Sequence, residues 1–160
     1  MKKKNLRGPY LLRVVHKLSD VEKAYIAGFI DGEGCIHISS SREGTFCLCL
    51  TASQTTENVM YWIQERLEGN VGYIEPEQVG RKKNGELCRG KWTWSIYGES
   101  AMEVLKSLLP HLKVKEYEAE TAIAFQKRYG FRRRHSLDDL AFFSKCRESL
   151  QEQHQWNYVS

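Results

Sequence analysis

The chain of 160 residues has no apolar run long enough to span a membrane, which takes about 20 apolar residues in succession. Its apolar stretch near the start, Tyr10-Leu11-Leu12 and Val14-Val15, is broken by Arg13, which argues against a secretory signal. The five cysteines are odd in number and none shows CxxC spacing, so a disulfide framework is disfavoured and a reducing compartment is expected. There is no linker and no low-complexity segment, and the length suits a single compact domain with a real core. The net charge of +4 is too small by itself to imply nucleic acid.

What the chain does have is a well-marked helix with acids at the wrong end. Ser19-Asp20-Val21-Glu22 has the form of a capping box, Lys23 to Asp31 reads as helix, and Gly32 or Gly34 supplies the stop. A helix C-terminus carries roughly half a negative charge and disfavours an acid there by about 0.3–1 kcal/mol. Asp31 and Glu33 sit at that end beside glycines, so something cationic should compensate, and a divalent metal held by carboxylate and carbonyl oxygens is the natural candidate. A surface helix with a glycine cap and two solvated acids accounts for the same residues. Ala24, Gly28 and Gly32 recur at every fourth position as a stripe with almost no side chain. Such stripes let two helix backbones approach closely, so a tight helix–helix contact in water is expected.

After Gly34 the period changes from helix to strand. Ile36 and Ile38 alternate with Cys35, His37 and Ser39, while Phe46, Leu48, Leu50 and Ala52 alternate with Cys47, Cys49, Thr51 and Ser53. With the turn residues between them these make a hairpin with one apolar and one polar face. Cys35-x-His37 and Cys47-x-Cys49 offer a zinc alternative, but the knuckle geometry needs two residues between cysteines, and small side chains on a sheet face explain them better. Thr55 to Glu68 reads as helix, with Val59, Trp62, Ile63 and Leu67 as its buried stripe. A second strand pair follows, Val71 to Glu75 extending towards Val79, and Lys91 to Tyr97, with Asn84-Gly85 in the turn. Glu99 to Leu109, Lys115 to Tyr129 and Ser136 towards Gln151 complete the pattern as helices.

The string Ile26-Ala27-Gly28-Phe29-Ile30-Asp31-Gly32-Glu33-Gly34 resembles the signature of the LAGLIDADG homing endonucleases, and the order of elements agrees over most of the chain. The resemblance implies an α+β fold, a helix–hairpin–helix–hairpin–helix unit whose antiparallel sheet forms a DNA-binding saddle with helices on the opposite face. In that family the last acid of the signature is the metal ligand, here Glu33, assisted by the carbonyl of Gly32. By local match, Gln54 orders active-site water and Lys115 approaches the scissile phosphate, with Lys113 as the other member of the basic pair. Asn58 departs from the pattern, standing where some relatives carry an active-site arginine. The implied cofactor is Mg2+ or Mn2+, with Ca2+ supporting binding without cleavage. Only one signature is present, so a homodimer is expected through Ala24, Ala27, Gly28, Asp31 and Gly32.

The same resemblance turns the polar sheet face into a major-groove reader, with His37, Ser39, Ser41, Cys47, Cys49, Thr51, Thr93 and Ser95 towards the bases beside Tyr97. Arg42, Arg81, Lys82, Lys83, Arg89, Lys91, Lys113, Arg132, Arg133 and Arg134 would reach outlying bases or phosphates. An ordinary solvated sheet face fits these residues equally well without the resemblance. Residues 1–18, basic and acid-free up to Lys17, are expected to form an arm along the DNA backbone, with an organellar transit role as the alternative. Residues 19–130 are expected to form the endonuclease domain, and residues 131–160 a basic loop and helix packed on it. The expected function is a divalent-metal-dependent double-strand break in a long pseudo-palindromic site, by an intron-encoded enzyme. The alternatives are an intron RNA maturase, which would add intron RNA as a partner, and a non-cleaving repressor of the same fold. No membrane partner is expected, and the expected location is intracellular, a prokaryotic cytoplasm or an organelle matrix.

Overall fold

The computed structural model describes residues 17–40, 45–130 and 135–156, with 154–156 described by backbone alone. Ser41, Arg42, Arg132, Arg133, Arg134 and the basic residues before Lys17 therefore lie outside the described residues. Among the described residues no helix is long and apolar enough to cross a membrane.

Helix α1 (Asp20–Glu33) starts where the sequence places it. The Glu22 amide donates to Ser19 Oγ at 3.2 Å and the Ser19 amide donates to Glu22 Oε2 at 3.0 Å, so both arms of the capping box are present. Ile26, Ala27 and Ile30 are its buried positions. The helix ends at Gly34, whose amide donates to the Ile30 carbonyl at an ordinary extended φ of −86°. A Cβ at Gly34 would lie 2.5 Å from that carbonyl oxygen. Close approach, not a left-handed turn, is why the chain needs glycine there.

Strands β1 (Gly34–Ser40) and β2 (Phe46–Gln54) form the first hairpin, followed by α2 (Glu57–Leu67) and β3 (Asn70–Ile74). A short helix α3 (Pro76–Val79) and a long turn then lead to β4 (Lys91–Tyr97). Helix α4 (Gly98–Leu108), a 3-10 turn (Leu109–His111), α5 (Glu116–Tyr129) and α6 (Leu137–Trp156) close the chain. The four strands are ordered β1-β2-β4-β3, every neighbour antiparallel. Register places Ile36 opposite Leu50, and Leu50 opposite Ile96; Ala52 pairs with Trp94. These side chains are buried against α4, α5 and α6 through Val104, Leu105, Leu108, Phe125, Phe143 and Leu150. The α+β architecture, with an antiparallel sheet and helices on its apolar side, is the expected one.

Four details differ from the sequence reading. The third strand stops at Ile74, because Pro76 at the first helical position favours α3 over a continuing strand. In α2 the fully buried positions are Met60, Ile63 and Leu67, with Val59 and Trp62 half-exposed. Leu18, assigned to the arm, instead packs into the core cluster. Ala27 is completely buried within its own chain, so its side chain is core and does not offer a contact to a second copy.

Candidate active site and nucleic-acid interface

The signature helix α1 delivers its two acids to different surroundings. Asp31 turns towards the segment before α5: its carboxylate accepts the Lys113 amide at 2.8 Å and the Lys115 amide at 2.9 Å. The Lys115 ammonium in turn donates to the Asp31 backbone carbonyl, and Lys115 is only 6% exposed. These bonds engage the Asp31 carboxylate within the chain. The role was not read from sequence, although an acid at a helix C-terminus in need of a cation was the available signal.

Glu33 is different. It is exposed, and its carboxylate makes no hydrogen bond or ion pair among the described residues. Gly32 beside it is also exposed, with open space where a Cβ would stand. Gln54 ends β2 as expected, and its Oε1 accepts from the Thr55 amide at 2.7 Å and from Thr55 Oγ1 at 3.2 Å. That leaves the Gln54 side-chain NH2 as its remaining donor group. Asn58 is exposed in the first turn of α2, in a groove with Tyr25, Val59 and Trp62. Tyr25 packs edge-on to Trp62 at 5.3 Å, and the Arg66 guanidinium lies over Trp62 while bonding Glu22 at 2.9 Å. This aromatic and ionic contact fixes α2 against α1.

The exposed edge of α1 carries Ala24, Gly28 and Gly32, with nothing near a Cβ built at either glycine. Val21, 79% exposed, and the half-exposed Tyr25 stand beside this stripe. The stripe is therefore open on the surface of the chain.

Alternation brings Cys35, His37, Ser39, Cys47, Cys49, Thr51, Ser53, Thr93, Ser95 and Tyr97 to the sheet face opposite the core. Ser39 and Tyr97 are exposed, whereas Thr51, Thr93, Ser95 and Lys91 are half-buried. Ser53 and Thr93 share a hydrogen bond of 2.9 Å across the strands. Cys49 is on the expected face but only 4% exposed, a correction to its placement as a direct base contact. Its neighbours His37 and Cys47 cover it, and both are half-buried. Arg81, Lys82, Lys83 and Arg89 are exposed around the connection to β4, where Lys82 pairs with Glu86 at 3.1 Å and Arg81 donates to the Gly85 carbonyl. Lys113 is exposed beside the Asp31 contact.

No cluster of three or more His, Cys, Asp or Glu side chains suited to a metal is present among the described residues. The zinc alternative at Cys35, His37, Cys47 and Cys49 thus gains no support from the geometry. All five cysteines are thiols, none in a disulfide.

The LAGLIDADG endonuclease family model matches residues 26–129. The chain belongs to that family. Its fold is similar to the homing endonuclease I-CvuI in complex with its target in the presence of 2 mM Ca, with TM-score 0.53 and 21% identity over 82% of this chain and 95% of that one. It also resembles the archaeal intron-encoded homing endonuclease I-Vdi141I complexed with DNA, with TM-score 0.65 and 16% identity over 84% of each chain. The meganuclease I-SmaMI bound to uncleaveable DNA matches with TM-score 0.61 and 11% identity, over 84% of this chain but 46% of that one. No curated protein matches the sequence significantly.

Proposed function

We propose that this LAGLIDADG chain is a site-specific DNA endonuclease that works as a homodimer and makes a double-strand break in a long pseudo-palindromic site. The observation that carries the reading is the signature itself, which ends α1 with an exposed Glu33 carboxylate beside the Lys115 segment. The polar sheet face and the basic residues Lys83 and Arg89 at its margin suit a duplex lying across the strands. The half-length match to I-SmaMI and the near full-length match to I-CvuI fit a unit that acts in pairs. Two-fold symmetry of the protein then predicts matching symmetry in the site. Intron encoding, as in the relative named for it, belongs to the same proposal.

The donor set suits a hard divalent ion. Glu33 and the Gly32 carbonyl offer oxygen only, and Mg2+ takes few protein ligands while retaining several waters. When bound there, Mg2+ or Mn2+ would stabilise the attacking and leaving oxygens of the phosphodiester. Structures of I-CvuI were obtained with Ca and with Mg, the latter with DNA not cleaved. For this chain Ca2+ is expected to support binding without cutting. The protein's own part is electrostatic and positional. Lys115 supplies a fixed positive charge near the scissile phosphate, and a preorganised cation stabilises charge that develops there. The Gln54 NH2 orders water, its carbonyl oxygen being held by Thr55. Phosphate contacts from Lys83, Arg89 and Lys113 bring the duplex into register.

The experiment is cleavage of a partially randomised DNA library with magnesium and then with calcium, using the native chain and Glu33→Gln. Cutting of one near-palindromic site in magnesium, lost in Glu33→Gln while DNA affinity stays within about tenfold (~1.4 kcal/mol), supports the proposal. Cleavage retained by Glu33→Gln would remove Glu33 from the mechanism. Specific binding with no cutting in any divalent ion would assign the chain to the maturase or repressor class, with RNA tested next.

A further inference from the structure

Several polar groups on the sheet face opposite the core are already committed within the chain. Ser53 and Thr93 share their 2.9 Å bond, Ser39 Oγ donates to the Cys47 carbonyl at 3.3 Å, and Cys49 is buried. Thr51 and Ser95 are half-buried. Asn70 differs from all of these. It is the first residue of β3 and pairs with Ser95, while the next residue, Val71, pairs with the fully buried Trp94. Paired residues share a face and successive ones alternate, so the Asn70 carboxamide stands on the polar side with Ser95. It is exposed, and it makes no hydrogen bond among the described residues.

The backbone leading into Asn70 is pinned. The Trp94 indole donates to the Glu68 carbonyl at 2.6 Å, and the Gln64 side-chain amide donates to the Gly69 carbonyl at 3.0 Å. Gly69, at φ +89°, lies so close to the core that a Cβ there would meet Trp94 Nε1 at 2.7 Å. The start of β3 is thus tied both to a buried tryptophan and to α2. The next residue of β3 on the polar face is Gly72, opposite Thr93, exposed and with open space where a Cβ would stand. The carboxamide therefore rises from a fixed backbone with no side chain beside it along its own strand. A group so placed can meet a planar edge in one orientation.

We infer that Asn70 is a specificity-determining residue that reads an adenine in the major groove of the target. The inference rests on the proposed DNA reading of the polar face and adds a residue to it. A carboxamide carries a donor and an acceptor side by side. The major-groove edge of adenine carries the matching pair, N7 as acceptor and the N6 amino group as donor. The Asn70 NH2 donates to N7, and its carbonyl oxygen accepts from N6. Guanine presents acceptors at both places, N7 and O6, so the Asn70 oxygen would face O6 with no proton between them. The residue thereby separates the two purines.

The test selects bound sites from a partially randomised duplex library in calcium, using the full native chain, Asn70→Ala and Asn70→Asp. The native chain is expected to prefer adenine over guanine by about tenfold or more at one position, repeated in each half-site. Asn70→Ala should bring that ratio below about threefold and leave the preferences at other positions unchanged. Asn70→Asp, of the same size but without the NH2 donor, should lose the adenine preference at the same position. Its reading also stands if Asn70→Ala alters the unfolding midpoint. Base preferences unchanged in Asn70→Ala would overturn the inference. So would a loss of affinity spread evenly over all positions, the mark of a phosphate contact, or adenine retained by Asn70→Asp. In each of these outcomes the native chain still selects a site, so the DNA proposal survives; a native chain that selects no site removes both.

Discussion

Asp31 and Lys115 exchange helix ends. Asp31 lies in the last turn of α1, where the helix dipole disfavours an acid, and Lys115 is the residue before α5, where it disfavours a base. Each side chain instead serves the other helix. The Asp31 carboxylate accepts the Lys113 and Lys115 amides at the positive start of α5, and the Lys115 ammonium meets a carbonyl at the negative end of α1. Compensation for the misplaced Asp31 is thus found within the chain, which leaves Glu33 as the acid still exposed.

Asp31→Asn is expected to destabilise the chain and to displace Lys115. An amide can present one oxygen to the two amides that Asp31 now satisfies, while its NH2 faces donors. Losing a charge-assisted bond while stranding a backbone donor costs about 1–3 kcal/mol. Urea unfolding measures this directly, and an unchanged midpoint would mean that the exchange contributes nothing.

Gly34→Ala tests the junction between the signature helix and the sheet. The new Cβ would meet Ile30 O at 2.5 Å and Ile30 Cγ2 at 2.8 Å, both parts of the buried core position Ile30. Relief requires the helix end to shift, so a loss of about 1–3 kcal/mol is expected, typical of overpacking. Cleavage should fall as well, because Glu33 is the adjacent residue. A chain as stable as the native one would show that the junction is softer than its geometry suggests.

Alternation and capping signals made the signature helix, both hairpins and the apolar sheet face legible, because each rests on neighbours close in sequence. Glu33 stood out for the same reason: an acid beside glycines at a helix end. Asp31 stood out with it, but its partners did not, since they lie about 80 residues away and no local pattern links them. Ala27 was expected at the contact between copies, but helical geometry turns it to the core side beside Ile26 and Ile30. Trp62 was read as core, yet its ring is shared between the exposed Tyr25 and the Arg66 guanidinium, which only tertiary contact reveals.

Acid should loosen the attachment of α6. The Arg128 hydrogen bond, then the Ser136 amide and hydroxyl, hold the Asp139 carboxyl down at about 2 against an ordinary value of 3.8. A depressed carboxyl gives its stabilisation fully above the ordinary value and loses it as pH falls through the folded one. The unfolding midpoint should therefore drop between about pH 4 and pH 2, and less steeply in Asp139→Asn. Thermal melts followed by circular dichroism across that window provide the comparison. Parallel slopes for the two chains would show that other carboxylates govern the acid response.

Gly28→Leu separates the stability of one copy from the association of two. Gly28 is exposed in the middle of α1, and a Cβ there meets nothing within 4 Å. Glycine inside a helix costs roughly 0.5–1 kcal/mol relative to alanine, and leucine is nearly as good a helix former as alanine. The substitution should therefore raise the stability of the single chain by up to about 1 kcal/mol. If a second α1 packs along Ala24, Gly28 and Gly32, the leucine also fills the space that close backbone approach requires. Light scattering should then report a dimer for the native chain and a monomer for Gly28→Leu, with double-strand cleavage lost alongside. A stable variant that remains dimeric would move the interface away from this stripe. A native chain that is monomeric both alone and on its DNA would remove the two-fold argument for a pseudo-palindromic target.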